Sequence, residues 1–265
     1  MKTAVISDIH SNPAALNAVL KDAEDKGCNK VVCLGDIVGY GYDPNGCIDI
    51  CREKGIECYM GNHDAGLVGD RSINLDWFNA FARKAILWQQ GEVTEDNKKW
   101  LSKLPFRSMG RSSDGFHYAF AHGTYENPER FYYLDGCGTS VLELVNIRRE
   151  GIKVLFVGHT HCAEIYARRS DESIIQRDIS IEDEVIVNLN KYEETIINVG
   201  SVGYPRVQPY SIYGIFDDAE HTFRHRILPF DFEKYQKQME ECGAAVPLWL
   251  PSRAEWAKER PVLWK

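Results

Sequence analysis

The 265 residues carry a formal net charge of -8, with 44% apolar and 26% charged residues, the balance of a folded soluble chain rather than a disordered one. No Lys/Arg run exceeds two residues, so the basic footprint of a nucleic-acid surface is missing, although bound cations would reverse the field locally. No apolar run approaches the roughly 18 residues of a membrane span, and a strand starting at Lys2 leaves no space for a signal peptide, so a cytoplasmic protein with no membrane partner is expected.

A short run with Val and Ile predicts a buried strand over 2–7. Asn12 is placed to cap a helix with Pro13 in its first turn, and Ala14, Leu16, Ala18, Val19, Leu20 and Ala23 give that helix one apolar face ending at Gly27. A strand over 30–34, a helix over 44–54 and a strand over 56–60 complete a β-α-β-α-β series, which predicts parallel early strands with right-handed crossovers. Residues 71–103 turn helical and aromatic (Trp77, Phe78, Phe81, Trp88, Trp100). They predict a helical insertion packed on the sandwich edge, with a substrate lid or a dimer face as the alternative. A strand over 116–121, a helix over 138–150 and an apolar strand over 154–157 follow. Six short strand candidates, 164–169, 173–179, 184–189, 195–199, 211–217 and 222–228, predict an antiparallel second sheet. The expected fold is a single α/β domain over 1–265, a two-sheet β-sandwich flanked by helices. A C-terminal helix and tail over 231–265, with Trp249, Trp256 and Trp264, is expected to dock on the body or on a second subunit.

The chemistry is concentrated at strand ends. Asp8-Ile9-His10, Gly35-Asp36, Gly61-Asn62-His63-Asp64, His122-Gly123 and Gly158-His159-Thr160-His161 each follow an apolar run, where an open α/β sheet presents its binding crevice. Asp8, His10, Asp36, Asn62, His122, His159 and His161 supply oxygen and imidazole donors suited to Mn, Fe, Zn or Co, with no thiolate set. Seven donors are too many for one tetrahedral ion and suit two ions sharing a carboxylate; Asp36, central in order, is the expected bridge. Such a pair holds a bridging hydroxide and stabilises the attacking and leaving oxygens of an in-line displacement at phosphorus. Phosphoester hydrolysis is the reaction expected. His117, His221 and His225 are expected to be structural, and His117, five positions from His122, faces the other side of a regular strand. The eight cysteines, including Cys33 and Cys58 in strands and Cys47 and Cys51 one helical turn apart, read as buried thiols. Cys162 reads as an oxidation-sensitive neighbour of His161 rather than a ligand.

The ordered set Asp-x-His, Gly-Asp, Gly-Asn-His-Asp, His and Gly-His-Thr-His resembles the calcineurin-like metallophosphoesterase superfamily, over about residues 5 to 161. The resemblance implies a four-layer, two-sheet sandwich with a dinuclear site at the strand ends. It implies one metal on Asp8, His10, Asp36 and His161 and the other on Asp36, Asn62, His122 and His159. It also implies that His63 protonates the leaving group or stabilises the transition state. Gly39 and Tyr40 depart from the Gly-Asp-x-Val-Asp-Arg-Gly pattern of the protein serine/threonine phosphatases, where an acid orients the catalytic histidine and an arginine grips phosphate. Asp43-Pro44-Asn45, Asn198-Val199-Gly200-Ser201 and Pro205-Arg206 are similar to the compact prokaryotic phosphodiesterase and diadenosine-tetraphosphatase-like branch. The second stretch reads equally as a Gly-rich turn; if it is functional, Arg206 contacts phosphate.

The expected activity is hydrolysis of phosphodiester or phosphoanhydride bonds in a small soluble substrate, a dinucleoside polyphosphate or cyclic nucleotide. Two divalent or trivalent ions are expected as cofactors, Mn first and Fe, Zn, Co or Ni as alternatives. A nuclease and a non-catalytic metal-binding scaffold of the same fold are the competing readings. A homo-oligomer would use the aromatic insertion or the tail.

Overall fold

Val5 points into one core while its neighbours Ala4 and Ile6 point into another, the two-residue alternation of a strand buried on both faces. That strand, β1 (Lys2–Ile6), runs parallel to β2 (Lys30–Cys33), which is parallel to β3 (Glu57–Cys58). The computed structural model describes residues 1–134, 136–179, 186–206 and 210–242. The crossovers are α1 (Pro13–Asp25) and α2 (Pro44–Glu53), and both start as their sequences dictate. The Asn12 and Asp43 side chains accept hydrogen bonds from the Ala15 and Gly46 N–H groups at 3.1 and 2.8 Å, and Pro13 and Pro44 fill the first turns.

Two mixed six-stranded sheets form the sandwich. The first joins β1–β3 to β9 (Ile186–Asn188), β11 (Tyr210–Asp217) and β12 (Thr222–Pro229), in the order β3-β2-β1-β11-β12-β9. The second contains β4 (Arg107–Arg111), β5 (His117–Ala121), β6 (Val154–Val157), β7 (Glu164–Arg168), β8 (Ile174–Asp178) and β10 (Glu194–Asn198), in the order β4-β5-β6-β10-β7-β8. The late strands therefore do not make a separate antiparallel sheet, as their spacing predicts. β9, β11 and β12 extend the first sheet, while β7, β8 and β10 extend the second, where β10 pairs parallel with β6. Period-two patterning marks a strand but does not choose its partner, because pairing is a long-range event. Edge strand β4 also escapes sequence reading: Arg107, Ser108, Met109, Gly110 and Arg111 carry no apolar alternation.

Between the sheets, Val5, Val32, Leu34, Phe216 and Phe223 meet Phe120, Phe156, Ile165 and Ile197. Outside the first sheet, Leu16 and Val19 of α1 and Cys47, Ile48 and Cys51 of α2 pack on Ala4, Ile6 and Tyr213. Outside the second, Leu144 and Ile147 of α6 (Cys137–Arg149) cover Ala119, Leu155 and Ile196. The result is four layers, helices, sheet, sheet and helix. Cys33, Cys47, Cys51 and Cys58 are buried free thiols.

The 71–103 segment folds as a 3-10 turn (Leu75–Trp77), α4 (Ala80–Glu92) and α5 (Glu95–Leu101), preceded by α3 (Asn62–Val68). Ile86, Val93 and Leu101, with Leu67 of α3, bury it in the same core as α1 and α2. Helix α7 (Phe232–Glu241) lays Tyr235 and Met239 against Tyr42, Trp88, Tyr204 and Phe230. The expected docking of Trp249, Trp256 and Trp264 lies outside the described residues.

Candidate metal centre

The strand ends are stitched to one another before any side chain is considered. The Asp8 N–H donates to the Gly35 carbonyl (3.0 Å), His10 N–H to Asp36 (3.0 Å), Gly158 N–H to His122 (3.0 Å) and Gly203 N–H to Asp8 (2.9 Å). Five candidate ligands sit in left-handed backbone, with φ of 55° at Asp8, 46° at His10, 55° at Asp36, 67° at His159 and 63° at His161. Each such residue costs about 1 kcal/mol or more and persists only where its surroundings over-determine it. The strain bends each chain so that its side chain turns into the gap above the sheet edges.

There the donors converge in two groups. Ligand atoms of Asp8, His10, Asp36 and His161 lie within 4.8 Å of one another, as do those of Asp36, His122 and His159. Asp36 belongs to both: its Oδ2 is 3.7 Å from His10 Nε2 and 3.3 Å from His122 Nε2. The other carboxylate oxygen, Oδ1, accepts from the His63 N–H at 2.8 Å. Asn62 Oδ1 reaches 3.2 Å from His122 Nε2, beside the second group. All seven sequence-predicted ligands are thus brought together, none more than 8% exposed. Cys162 stays outside, its thiol donating to the Thr160 carbonyl.

The donor set fits cations on its own geometry. The His10, His161 and His122 Nδ1 atoms face the carbonyls of Val38, Tyr204 and Leu34 at 2.9, 2.6 and 3.2 Å. A carbonyl only accepts, so each Nδ1 carries a proton and each Nε2 points at the cluster. His10 and His161 then aim two lone pairs at one spot, 3.1 Å apart. Asp8 Oδ1 and His159 Nε2 are buried with no hydrogen-bond partner, and a cation in each donor group would satisfy them. Burial, with His63 next, pushes His10 well below its usual pKa, and burial with His122 lowers His159 to about 3. Burial works against ionised Asp8 and Asp36, but His161 holds Asp8, and His122 and His63 hold Asp36, below the usual carboxylate range. Burial likewise opposes a charged His122, and the Asp36 carboxylate overcomes it, raising His122 to about 9. A proton there competes with a cation for the same lone pair.

Gly61-Asn62-His63-Asp64 is not a strand-end turn but the start of α3. Asp64 makes it so. Its carboxylate accepts from Gly61 N–H (3.0 Å), as a helix-capping residue does, and from Asp36 N–H (2.8 Å) and Val38 N–H (3.1 Å). One buried side chain thereby locks the helix start to the Asp36 loop. Burial, then repulsion from Asp36, raises Asp64 to about 7. The sequence signal for it was its position three residues after a capping glycine.

Asn79 and Gln89 carry no sequence signal of their own, whereas Phe78, Tyr40, Asn198, Ser201 and Arg206 belong to stretches singled out above. Phe78 packs edge-on against His63, ring centroids 5.1 Å apart, and Asn79 Nδ2 donates to the Tyr40 hydroxyl at 3.2 Å. Fully buried Gln89 on α4 accepts from Gly39 N–H (2.7 Å) and donates to Ser11 Oγ and the Gly41 carbonyl (3.0 Å each). The 71–103 segment is therefore a wall of this site. Tyr40 and Tyr204 stack in parallel at 4.2 Å, and Arg206 Nη2 lies 3.4 Å from the Tyr40 hydroxyl. Asn198 Nδ2 donates to the Gly158 carbonyl (2.6 Å) and Thr160 Oγ1 (2.9 Å), and Ser201 Oγ to the Asp8 carbonyl (3.0 Å). His117 is half-buried. His221, stacked on Phe116 and paired with Asp114, and His225, bonded to the Asn198 carbonyl, lie apart from the cluster.

Residues 1–163 match the family model described as calcineurin-like phosphoesterase. The chain belongs to this family. An uncharacterised protein of Methanocaldococcus jannaschii is 35% identical over 253 residues, 94% of this chain and 96% of its own. A metallophosphoesterase from Sphaerobacter thermophilus superposes with a TM-score of 0.73 at 28% identity, covering 92% of this chain and 95% of its own. A hypothetical protein from Pyrococcus horikoshii OT3 shares the fold at a TM-score of 0.71 and 15% identity, covering 92% and 94%. As a calcineurin-like phosphoesterase the chain has a hydrolase's fold and a clustered donor set for two metal ions. Among the described residues no helix is long and apolar enough to cross a membrane.

Proposed function

We propose that this phosphoesterase hydrolyses phosphodiester or phosphoanhydride bonds of a small soluble substrate, of the dinucleoside polyphosphate or cyclic nucleotide type. The observation that carries the reading is the pair of buried donor groups meeting at Asp36. Asp8, His10, Asp36 and His161 would hold one ion and Asp36, Asn62, His122 and His159 the other, with Mn the first choice. When bound, the two ions supply positive charge for the phosphoryl oxygens and acidify the attacking water.

The protein's own groups do the rest. Asp36 and Asp8 keep the site anionic before loading, and the backbone N–H of His63 fixes the Asp36 carboxylate. His63, 3% exposed and beside His10 at 4.7 Å between ring centroids, is placed to donate a proton or hydrogen bond to the leaving oxygen. Burial first, with His161 and Arg206 contributing, lowers its pKa to about 4, which favours a neutral N–H donor. Arg206 has no carboxylate within ion-pair distance among the described residues, and its Nη2 lies 3.4 Å from the Tyr40 hydroxyl. A non-bridging phosphate oxygen would complete its shell.

The test is hydrolysis of bis(4-nitrophenyl) phosphate beside 4-nitrophenyl phosphate by chelator-stripped protein restored with Mn²⁺. The reading expects metal-dependent turnover that favours the diester. Turnover that persists without metal, or preference for the monoester, would contradict it.

A further inference from the structure

The metal cluster is almost closed to solvent, and one aromatic ring against it is not. Tyr133 stacks on the His159 imidazole with centroids 3.9 Å apart and planes 18° from parallel, yet the residue is 46% exposed. One ring face is taken by His159, and close to half of the residue remains open to solvent. We propose that Tyr133 is a specificity-determining residue of the site, its exposed ring being a stacking platform for the nucleobase of a nucleotide ester, on the side of the scissile phosphate away from the leaving group. The proposal rests on the phosphoesterase reading above.

The loop that carries Tyr133 is built to hold it there. Phe131 has a φ of 51°, in the left-handed region that a bulky non-glycine residue avoids, and its ring is buried against His122 and His159 at 6.0 and 6.5 Å between centroids. The carbonyl of Tyr132 crosses so close to Gly123 that a Cβ there would lie 2.8 Å from it. Leu134 is buried in the core beneath α6. Tyr133 is thus pinned from both sides, and a rigid aromatic residue loses little conformational freedom on stacking. The Arg206 guanidinium reaches the hydroxyl of Tyr40, whose ring stacks on Tyr204 and packs against His10 at 4.8 Å between centroids. A cation for phosphate held at Tyr40 and an exposed ring stacked on His159, with Tyr40 and His159 each against or within the donor cluster, match the two parts of a nucleotide ester. Stacking on an aromatic side chain is worth roughly 1–3 kcal/mol per base, about 5- to 150-fold in affinity.

The test compares equilibrium binding of thymidine 5′-monophosphate and of inorganic phosphate to Mn²⁺-loaded wild type, Tyr133→Phe and Tyr133→Ala, with metal content measured for each. Tyr133→Ala is expected to weaken the nucleotide about 10-fold or more and phosphate less than 2-fold, while Tyr133→Phe keeps wild-type values. A kinetic arm uses the 4-nitrophenyl ester of thymidine 5′-monophosphate beside methyl 4-nitrophenyl phosphate, which share a leaving group. KM is expected to rise in Tyr133→Ala for the first ester only. Equal loss for both ligands, no loss for either, or metal lost from Tyr133→Ala would overturn the platform; the last would mark the ring as a cover for His159. Failure of wild type to turn over either ester would instead overturn the phosphoesterase reading, and the binding comparison would still decide the platform.

Discussion

Gly39 lies directly against the imidazole of His63, and where a side chain would stand there is none, so His63 Nδ1 is buried without a hydrogen-bond partner. Gly39 also has a φ of 89°, which only glycine adopts freely. Gly39→Ala would drive a Cβ into the ring and strain the loop. The expected outcome is a fall in kcat of about 10- to 100-fold with metal content unchanged, read by steady-state kinetics and elemental analysis; this is part of the roughly 10²- to 10⁴-fold that a displaced catalytic histidine loses.

Removing the imidazole tests its role more directly. His63→Ala is expected to lower kcat by about 10² to 10⁴ while both ions stay bound. The loss should be larger for a phenyl ester than for a 4-nitrophenyl ester, because the poorer leaving group needs the donated hydrogen bond more. Equal losses would assign His63 to positioning instead.

Gln89 joins α4 to the loop that carries Gly39 and Tyr40 through two hydrogen bonds, and to Ser11 through a third, all made by a fully buried amide. Gln89→Leu leaves the Gly39 N–H and the Gly41 carbonyl without this partner. A loss of roughly 3 kcal/mol in unfolding free energy is expected, with kcat/KM reduced, since a buried unsatisfied group costs about 1–3 kcal/mol. Urea unfolding of the metal-loaded protein provides the measurement.

His225 is buried, and its imidazole N–H donates to the Asn198 carbonyl at 2.8 Å. Burial lowers its pKa to about 4 against an ordinary value of 6.5. The unfolded chain therefore binds the extra proton first, so the neutral ring's stability is complete above pH 6.5 and is lost as pH falls toward 4. The full difference is about 3 kcal/mol at about 1.4 kcal/mol per pKa unit. His225→Gln should flatten the stability profile between pH 6.5 and 4 relative to wild type; parallel profiles would contradict the assignment.

The six carboxylate and histidine members of the cluster were legible because each directly follows an apolar strand, and strand ends converge in a layered α/β sandwich. α3 was not, because Asn62 to Val68 becomes a helix only when Asp64 reaches back to Gly61 and across to Asp36, and the latter contact spans 28 positions. The left-handed backbone at Asp8, His10, Asp36, His159 and His161 leaves no local mark beyond the known tolerance of Asp and His for it. Tyr40, Tyr133, Tyr204 and Gln89 come from separate segments with no common spacing, so only the tertiary fold assembles the aromatic wall. The division of β7 to β12 between two sheets depends on partner choice, on which alternation is silent.

The proposed hydrolysis depends on one carboxylate, Asp36, serving two ions. Metal stoichiometry and diester turnover, measured in parallel on Mn²⁺-reconstituted wild type and Asp36→Asn, test it most directly. The account predicts two ions per chain and turnover in the wild type, and loss of both in Asp36→Asn. Full activity in Asp36→Asn would contradict it.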